Sequence, residues 1–167
     1  GKATNGDDAL RASSAKKRSS DLAVQSQQSE YVRGNYINSQ LRNPKKYGEP
    51  PPGALDDMDR AFSSEQMGVE VGPIMVARGA GFNQGSASAK MFEDMKEGDE
   101  FIDRGFVSTT TITSDIQERF MTGSGTQVET FITLKDGQTV IAGSGQEREI
   151  ILPRNSTFKV TQKNVET

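Results

Sequence analysis

Glu147 and Glu149 stand one residue apart in the run Gly145-Gln146-Glu147-Arg148-Glu149-Ile150-Ile151-Leu152-Pro153. In an extended chain side chains alternate, so period two predicts both carboxylates on one face of a strand just where it leaves a flexible loop. Two like charges so placed repel unless something compensates. One reading is a solvated, charged strand end. The other is a pair with divided labour: one carboxylate grips a sugar hydroxyl beside a developing positive charge, and its neighbour receives a cationic nucleophile. Arg78-Gly79 is a second candidate, expected at the end of a strand formed by Ile74-Met75-Val76. A guanidinium emerging among glycines has a planar fork that suits phosphate, although a strand-end Arg serves equally to pair a surface carboxylate. The spacing of Gly79, Gly81 and Gly85 is not the dinucleotide fingerprint and carries no weight as one. The third candidate is Phe106-Val107-Ser108-Thr109-Thr110, where Phe106, Ser108 and Thr110 share a face and a hydroxyl can orient a neighbouring carboxylate.

What the chain lacks sharpens these candidates. It has no Cys and no His. Without Cys there is no disulfide, thiolate nucleophile, iron–sulfur cluster or zinc knuckle, and without His the commonest general base and zinc ligand are missing. Chemistry here runs on carboxylates, hydroxyls, Arg, Lys and backbone groups, with no metal expected. A net charge of −3 gives no broad basic face, so nucleic acid is disfavoured as a partner. No apolar run approaches the roughly 20 residues that span a bilayer, so no membrane partner is expected.

The elements that must position these residues divide by texture. At 167 residues there is room for one domain, and 32% hydrophobic content with 17 glycines predicts a loop-rich fold around a modest core. Residues 1–19 are polar, carry Lys16-Lys17-Arg18 between serines, and are expected as a flexible leader or linker; residues 20–167 are expected to form a single domain. Helical spacing runs from Ser20 to Leu41, divided at Gly34, and an irregular connection follows through Asn43-Pro44 and Pro50-Pro51-Pro52-Gly53. Leu55, Met58 and Phe62 predict a short amphipathic helix. After Gly72-Pro73 the pattern turns to strands, with short helices expected at 86–95 and, from the capping box of Ser114 and Gln117, up to Phe120. Further strands are expected at 101–111 (broken at Asp103-Arg104), 128–134, 140–141, 149–152 and near 158–160, and Asp136-Gly137 is a hairpin signal. Helices first and strands afterwards give an α+β fold without Rossmann alternation.

Read in order, Val76-Ala77-Arg78-Gly79, Gly105-Phe106-Val107-Ser108-Thr109-Thr110 and Gln146-Glu147-Arg148-Glu149 resemble the signature of the toxin-type, Arg–Ser–Glu mono-ADP-ribosyltransferases. Tyr31-Val32-Arg33-Gly34-Asn35-Tyr36-Ile37-Asn38 with Leu41-Arg42 is like the family's early helices, and 155–160 is like its closing strand. The resemblance spans about 29–160. It implies N-terminal helices followed by two packed mixed or antiparallel sheets forming an NAD cleft, with NAD+ as co-substrate. By resemblance, Arg78 binds the pyrophosphate and the Gly79 backbone reads the nicotinamide amide. Ser108 positions Glu149, Glu149 holds the nicotinamide ribose, and Thr109 and Thr110 belong to the NAD-binding strand. Gln146 and Glu147 face the acceptor; Glu at 147 implies an arginine target, where Gln would imply asparagine. Thr110 departs from the family's second Ser, keeping the hydroxyl and adding a methyl.

The implied partners are a protein presenting the modified arginine and a cognate immunity or delivery protein. The implied setting is a secreted, injected or virion-delivered toxin, effector or phage enzyme acting in a target-cell cytoplasm. Two alternatives stand beside this one: an NAD glycohydrolase, in which water replaces the acceptor, and a catalytically silent interaction module that keeps the fold.

Overall fold

The computed structural model describes residues 1–34, 36–112, 125–145 and 147–165. In chain order its elements are α1 (Gly6–Lys17), α2 (Leu22–Val32), α3 (Ile37–Arg42), α4 (Pro44–Tyr47), α5 (Ala54–Ala61), β1 (Val69–Val71), β2 (Ile74–Phe82), α6 (Ala87–Asp94), β3 (Glu100–Asp103), β4 (Val107–Thr110), β5 (Thr126–Leu134), β6 (Gln138–Ala142), β7 (Glu149–Leu152) and β8 (Ser156–Lys159). The fold is α+β, with helices ahead of antiparallel sheets, as the texture of the sequence implies. The helix expected from Ser114 to Phe120 lies outside the described residues.

Six strands pair in the order β1-β6-β7-β4-β2-β5, and β3 pairs with β8 in a separate ribbon. The order itself dictates curvature. β1 and β2 are first and fifth, about 19 Å apart in a flat sheet at the usual strand spacing. Yet Val71 and Ile74 are joined by three peptide steps, which reach at most ~11 Å. The sheet therefore folds over into two layers, turning at Gly72-Pro73 and at the 135–137 turn alongside it.

That corner overturns the hairpin expected at Asp136-Gly137. The turn exists, with Gly137 at φ 86°, but β5 pairs with β2 while β6 pairs with β1 and β7. The strands it joins belong to opposite ends of the sheet. Turn chemistry is local, and it does not report which strands become neighbours.

Each layer has its own core. Val71, Ile74, Val76, Val107, Leu134, Val140, Ile150 and Leu152 fill the inside of the fold. Ile141 and Ile151 point the other way, against Val24, Tyr31, Ile37, Met58 and Phe106 from the helical side. β7 is thus covered on both faces, and all four of its residues are buried. Its run Ile150-Ile151-Leu152 reads as continuous apolar sequence for that reason.

Residues 6–17, expected as part of a flexible leader, form a helix packed on β6 and β1. Asn5 caps it by accepting from the Asp8 amide, acidic Asp7 and Asp8 lie in the first turn and Lys16 and Lys17 in the last, an order that complements the helix dipole. Ala9 and Ser13 are buried. Lys16, expected in a solvated basic cluster, donates to the carbonyls of Ser64 and Gly68. The helix is hard to read because its buried face consists of small residues.

Candidate active site

The site forms where β2 and β4 part. β5 pairs with β2 along its whole length, whereas β4 meets β2 only at Ala77↔Thr110. Beyond that pair the two strands separate and leave a cleft of about 160 Å³ lined by Ala77, Arg78, Gly79, Ser108, Thr109, Thr110, Glu147 and Glu149. Residues from all three sequence motifs meet in it. Gln146 lies outside the described residues.

Arg78 is not at a strand end as expected. It is the fifth residue of a nine-residue strand that runs on through Gly79 and Gly81 to Phe82. Glycine does not break the strand because β5 supplies partners throughout, and at Gly81 the Gln127 side chain packs where a Cβ would sit. The Arg78 guanidinium donates to the Ser108 carbonyl across the cleft at 3.0 Å. Among the described residues it forms no ion pair. Burial pulls its pKa below the ordinary arginine value, the positive charge of Arg42 pulls the same way, and Asp103, Tyr31 and Glu149 oppose them. A half-buried cation without a carboxylate partner is electrostatically unsatisfied and suited to an incoming anion.

The carboxylates also depart from expectation. β7 begins at Glu149, and Glu147 belongs to the turn before it, so the two do not share a strand face. Arg148 between them has φ 50°, in the left-handed region, and its amide donates to the Gly145 carbonyl while that of Glu149 donates to Ser144. The chain turns here rather than alternating, and residues 147 and 149 both line the cleft. Glu149 is buried at 9% relative exposure and Glu147 is exposed, so the two see different surroundings. Glu149 Oε1 accepts from the Ser144 amide at 3.0 Å.

β4 supplies the hydroxyls. Thr110 Oγ1 donates to the Glu147 carbonyl at 2.8 Å and accepts from the Ile112 amide, which ties the carboxylate turn to the sheet. Thr109 Oγ1 donates to the Ile150 carbonyl on the buried side. Ser108 is expected against Glu149. Its hydroxyl instead lies 2.7 Å from that of Tyr31, and among the described residues Ser108 and Glu149 are not hydrogen-bonded to each other. The reason lies in the helices: α2 packs its buried Tyr31 directly over β4.

Tyr31, Asn38 and Arg42 support the Phe106–Ser108 segment from the helical side, and none of the three motifs includes them. Asn38 Nδ2 donates to the Tyr31 hydroxyl and to the Phe106 carbonyl, and its Oδ1 accepts from the Phe106 amide. Arg42 makes a two-point pair with Asp103 and donates to the Phe106 carbonyl. Both side chains pass so close to Gly105 that a Cβ there would meet them at 2.8 Å. Burial raises the Tyr31 pKa, with hydrogen bonds to Ser108 and Asn38 acting in the opposite direction. The signal that would have found these residues is their place in the stretches 31–38 and 41–42, which the resemblance matched without assigning chemistry.

The sequence pattern of the ADP-ribosyltransferase exoenzyme family matches residues 14–167. The chain belongs to that family. It is accordingly an ADP-ribosyltransferase with NAD as donor. The transferase resembles the Clostridium limosum C3 exoenzyme at TM-score 0.66 and 19% identity, covering 99% of this chain and 90% of that one. Against an ADP-ribosyltransferase from Clostridium botulinum the TM-score is 0.68 at 17% identity, covering 99% and 92%. The Vis ADP-ribosyltransferase of Vibrio splendidus, in complex with agmatine, is also similar, at 0.55 and 17%, covering 94% and 69%. At such identities the likeness is one of fold. No curated protein matches the transferase in sequence. Among the described residues no helix is long and apolar enough to cross a membrane.

Proposed function

We propose that the transferase moves ADP-ribose from NAD to an arginine side chain of a target protein, releasing nicotinamide. The observation that carries this reading is the opening of Glu147 and Glu149 into one cleft with Arg78, Glu149 buried and Glu147 at the mouth.

In this reading Arg78 holds the diphosphate by its fork, with the nearby charge of Arg42 adding to the positive field. The Gly79 backbone reads the nicotinamide amide. Ser108, Thr109 and Thr110 form the strand against which the nicotinamide end rests, Ser108 in partnership with Tyr31. The bond between ribose C1′ and the nicotinamide nitrogen breaks with its electron pair going to the ring, which leaves neutral and needs no general acid. That fits a chain without His. Glu149 holds a ribose hydroxyl and supplies fixed negative charge beside the oxocarbenium-like carbon. Glu147 orients the acceptor guanidinium and takes its proton as a guanidine nitrogen attacks C1′. Gln146 completes acceptor recognition. Agmatine, held by the Vis protein, is itself a guanidine, which makes it a sensible probe. Delivery into a target cell by secretion, injection or a virion accords with an exoenzyme family.

The test uses labelled NAD with agmatine or a protein acceptor. Glu147→Gln is expected to lower transfer by roughly 100-fold or more, the scale of a lost general base, while nicotinamide release to water persists. Equal loss of transfer and hydrolysis would remove Glu147 from the acceptor side. Free ADP-ribose as the sole wild-type product would make the protein a glycohydrolase, and equally slow nicotinamide release by wild type and Glu149→Ala would make it a silent module.

A further inference from the structure

We infer that Arg148 is a positioning residue, and that α1 anchors it through Asp7 to hold the two carboxylates in register. The inference rests on the reading above, in which Glu147 and Glu149 divide the reaction between them.

Arg148 is an expensive residue for its place. At φ 50° it sits where glycine or asparagine is comfortable and a long side chain is not. Its side chain does not settle into the fold for stability either. The guanidinium pairs with Asp7 in the first turn of α1, with side chains 43% and 52% exposed, and exposed pairs contribute little to folding. What the pair does is geometric. Arg148 Nε also donates to Thr111 Oγ1 at 3.0 Å, and the Thr111 amide donates back to the Arg148 carbonyl at 3.1 Å. The residue between the two glutamates is thereby fixed to the end of β4 and to a helix at once.

Independent contacts show that α1 is a firm anchor. A Cβ on Gly6 would lie 2.4 Å from the Thr111 methyl, so the helix start is pressed against the same threonine. Ahead of it Ala3 bridges to Val71. At the other end of the carboxylate loop, Ser13 of α1 accepts from the Ala142 amide at 2.8 Å, and Gln28 of α2 donates to the Ala142 carbonyl. Both roots of the loop are therefore held by helices, one by Asp7 through Arg148 and one by Ser13. Asp7 precedes the residues that match the family pattern.

Losing the tie frees Glu147 more than Glu149, because Glu149 is also held by the Ser144 amide and by β7. Transfer should suffer while hydrolysis continues. The decisive variant is Arg148→Gly, which relieves the left-handed backbone while deleting the tie; Asp7→Asn removes the anchor's charge at an exposed position, and Arg148→Lys is the conservative rescue. Expected for the first two are a melting temperature within roughly 3 °C of wild type and faster exchange of the amides of Thr111 and residue 148, which donate to the carbonyls of residues 148 and 145. Transfer kcat should fall about tenfold, as small misplacements of reacting groups do, with KM for NAD and the hydrolysis rate nearly unchanged. Arg148→Lys should recover most of the transfer rate. Wild-type exchange and a wild-type ratio of transfer to hydrolysis in both Arg148→Gly and Asp7→Asn overturn the inference. Faster exchange in the variants of a protein whose wild type transfers no ADP-ribose upholds the tie and overturns the function proposed above.

Discussion

Gly143 shows how tightly a single residue is bound into the site. A Cβ placed there would fall 2.0 Å from Glu149 Oε1 and 2.6 Å from its carboxyl carbon. The next amide, that of Ser144, is the donor that holds the same oxygen. Gly143 is therefore glycine because a buried carboxylate lies against it, and no freedom of φ need be invoked. Gly143→Ala must swing Glu149 out of place or lift the loop away from it. Either response moves Glu149, which in the proposed function holds the ribose, by about 1 Å, and a displacement of that size costs on the order of 100-fold in rate. The expected result is a kcat for nicotinamide release reduced to that extent in a protein whose circular dichroism and cooperative melting are retained. A kcat within twofold of wild type would show that the carboxylate turns away from Gly143 before it acts.

At the scale of the element, Thr110 joins β4 to the turn that carries Glu147. Its hydroxyl donates to the Glu147 carbonyl and accepts from the Ile112 amide, both of which Ser would do as well. Thr110→Ser should therefore keep transfer within a few-fold. Thr110→Val keeps the shape and leaves the two backbone groups unsatisfied, at a cost of about 1–3 kcal/mol; denaturant unfolding should register that loss, together with a fall in transfer. Indistinguishable Ser and Val variants would mean that the methyl, and not the hydroxyl, secures the turn.

This element also marks what the sequence could tell. The three motifs are visible because each is a cluster of chemically capable residues on an apolar strand, and their meeting in one cleft follows from the order of pairing. The turn at Arg148 is not visible: period two in Glu147 and Glu149 mimics a strand, and nothing in an Arg announces a left-handed φ. Nor is the Ser108–Tyr31 bond, which depends on how α2 packs over β4. Helix α1 escapes because Ala9 and Ser13 bury a face too small to read as apolar, although Asn5, the acidic first turn and the basic last turn spell out its ends.

For the molecule as a whole, the folded-over sheet sets both stability and the site. Were the six strands an open sheet covered on one side, Ile150 and Ile151 would alternate between core and solvent. In the two-layered fold Ile150 packs inward with Val76, Val107 and Val140, and Ile151 packs outward with Phe106, Tyr31 and Met58. Each is fully buried. Ile150→Val and Ile151→Val should then each destabilise by about 0.5–1.5 kcal/mol, whereas a solvent-facing position would change by no more than roughly 0.5 kcal/mol. Urea unfolding of wild type and the two variants measures both effects. A near-zero effect at either position would deny that the sheet is covered on that side. β7 would then lose the two-sided clamp that starts at Glu149, and with it the rigid base on which the buried carboxylate depends.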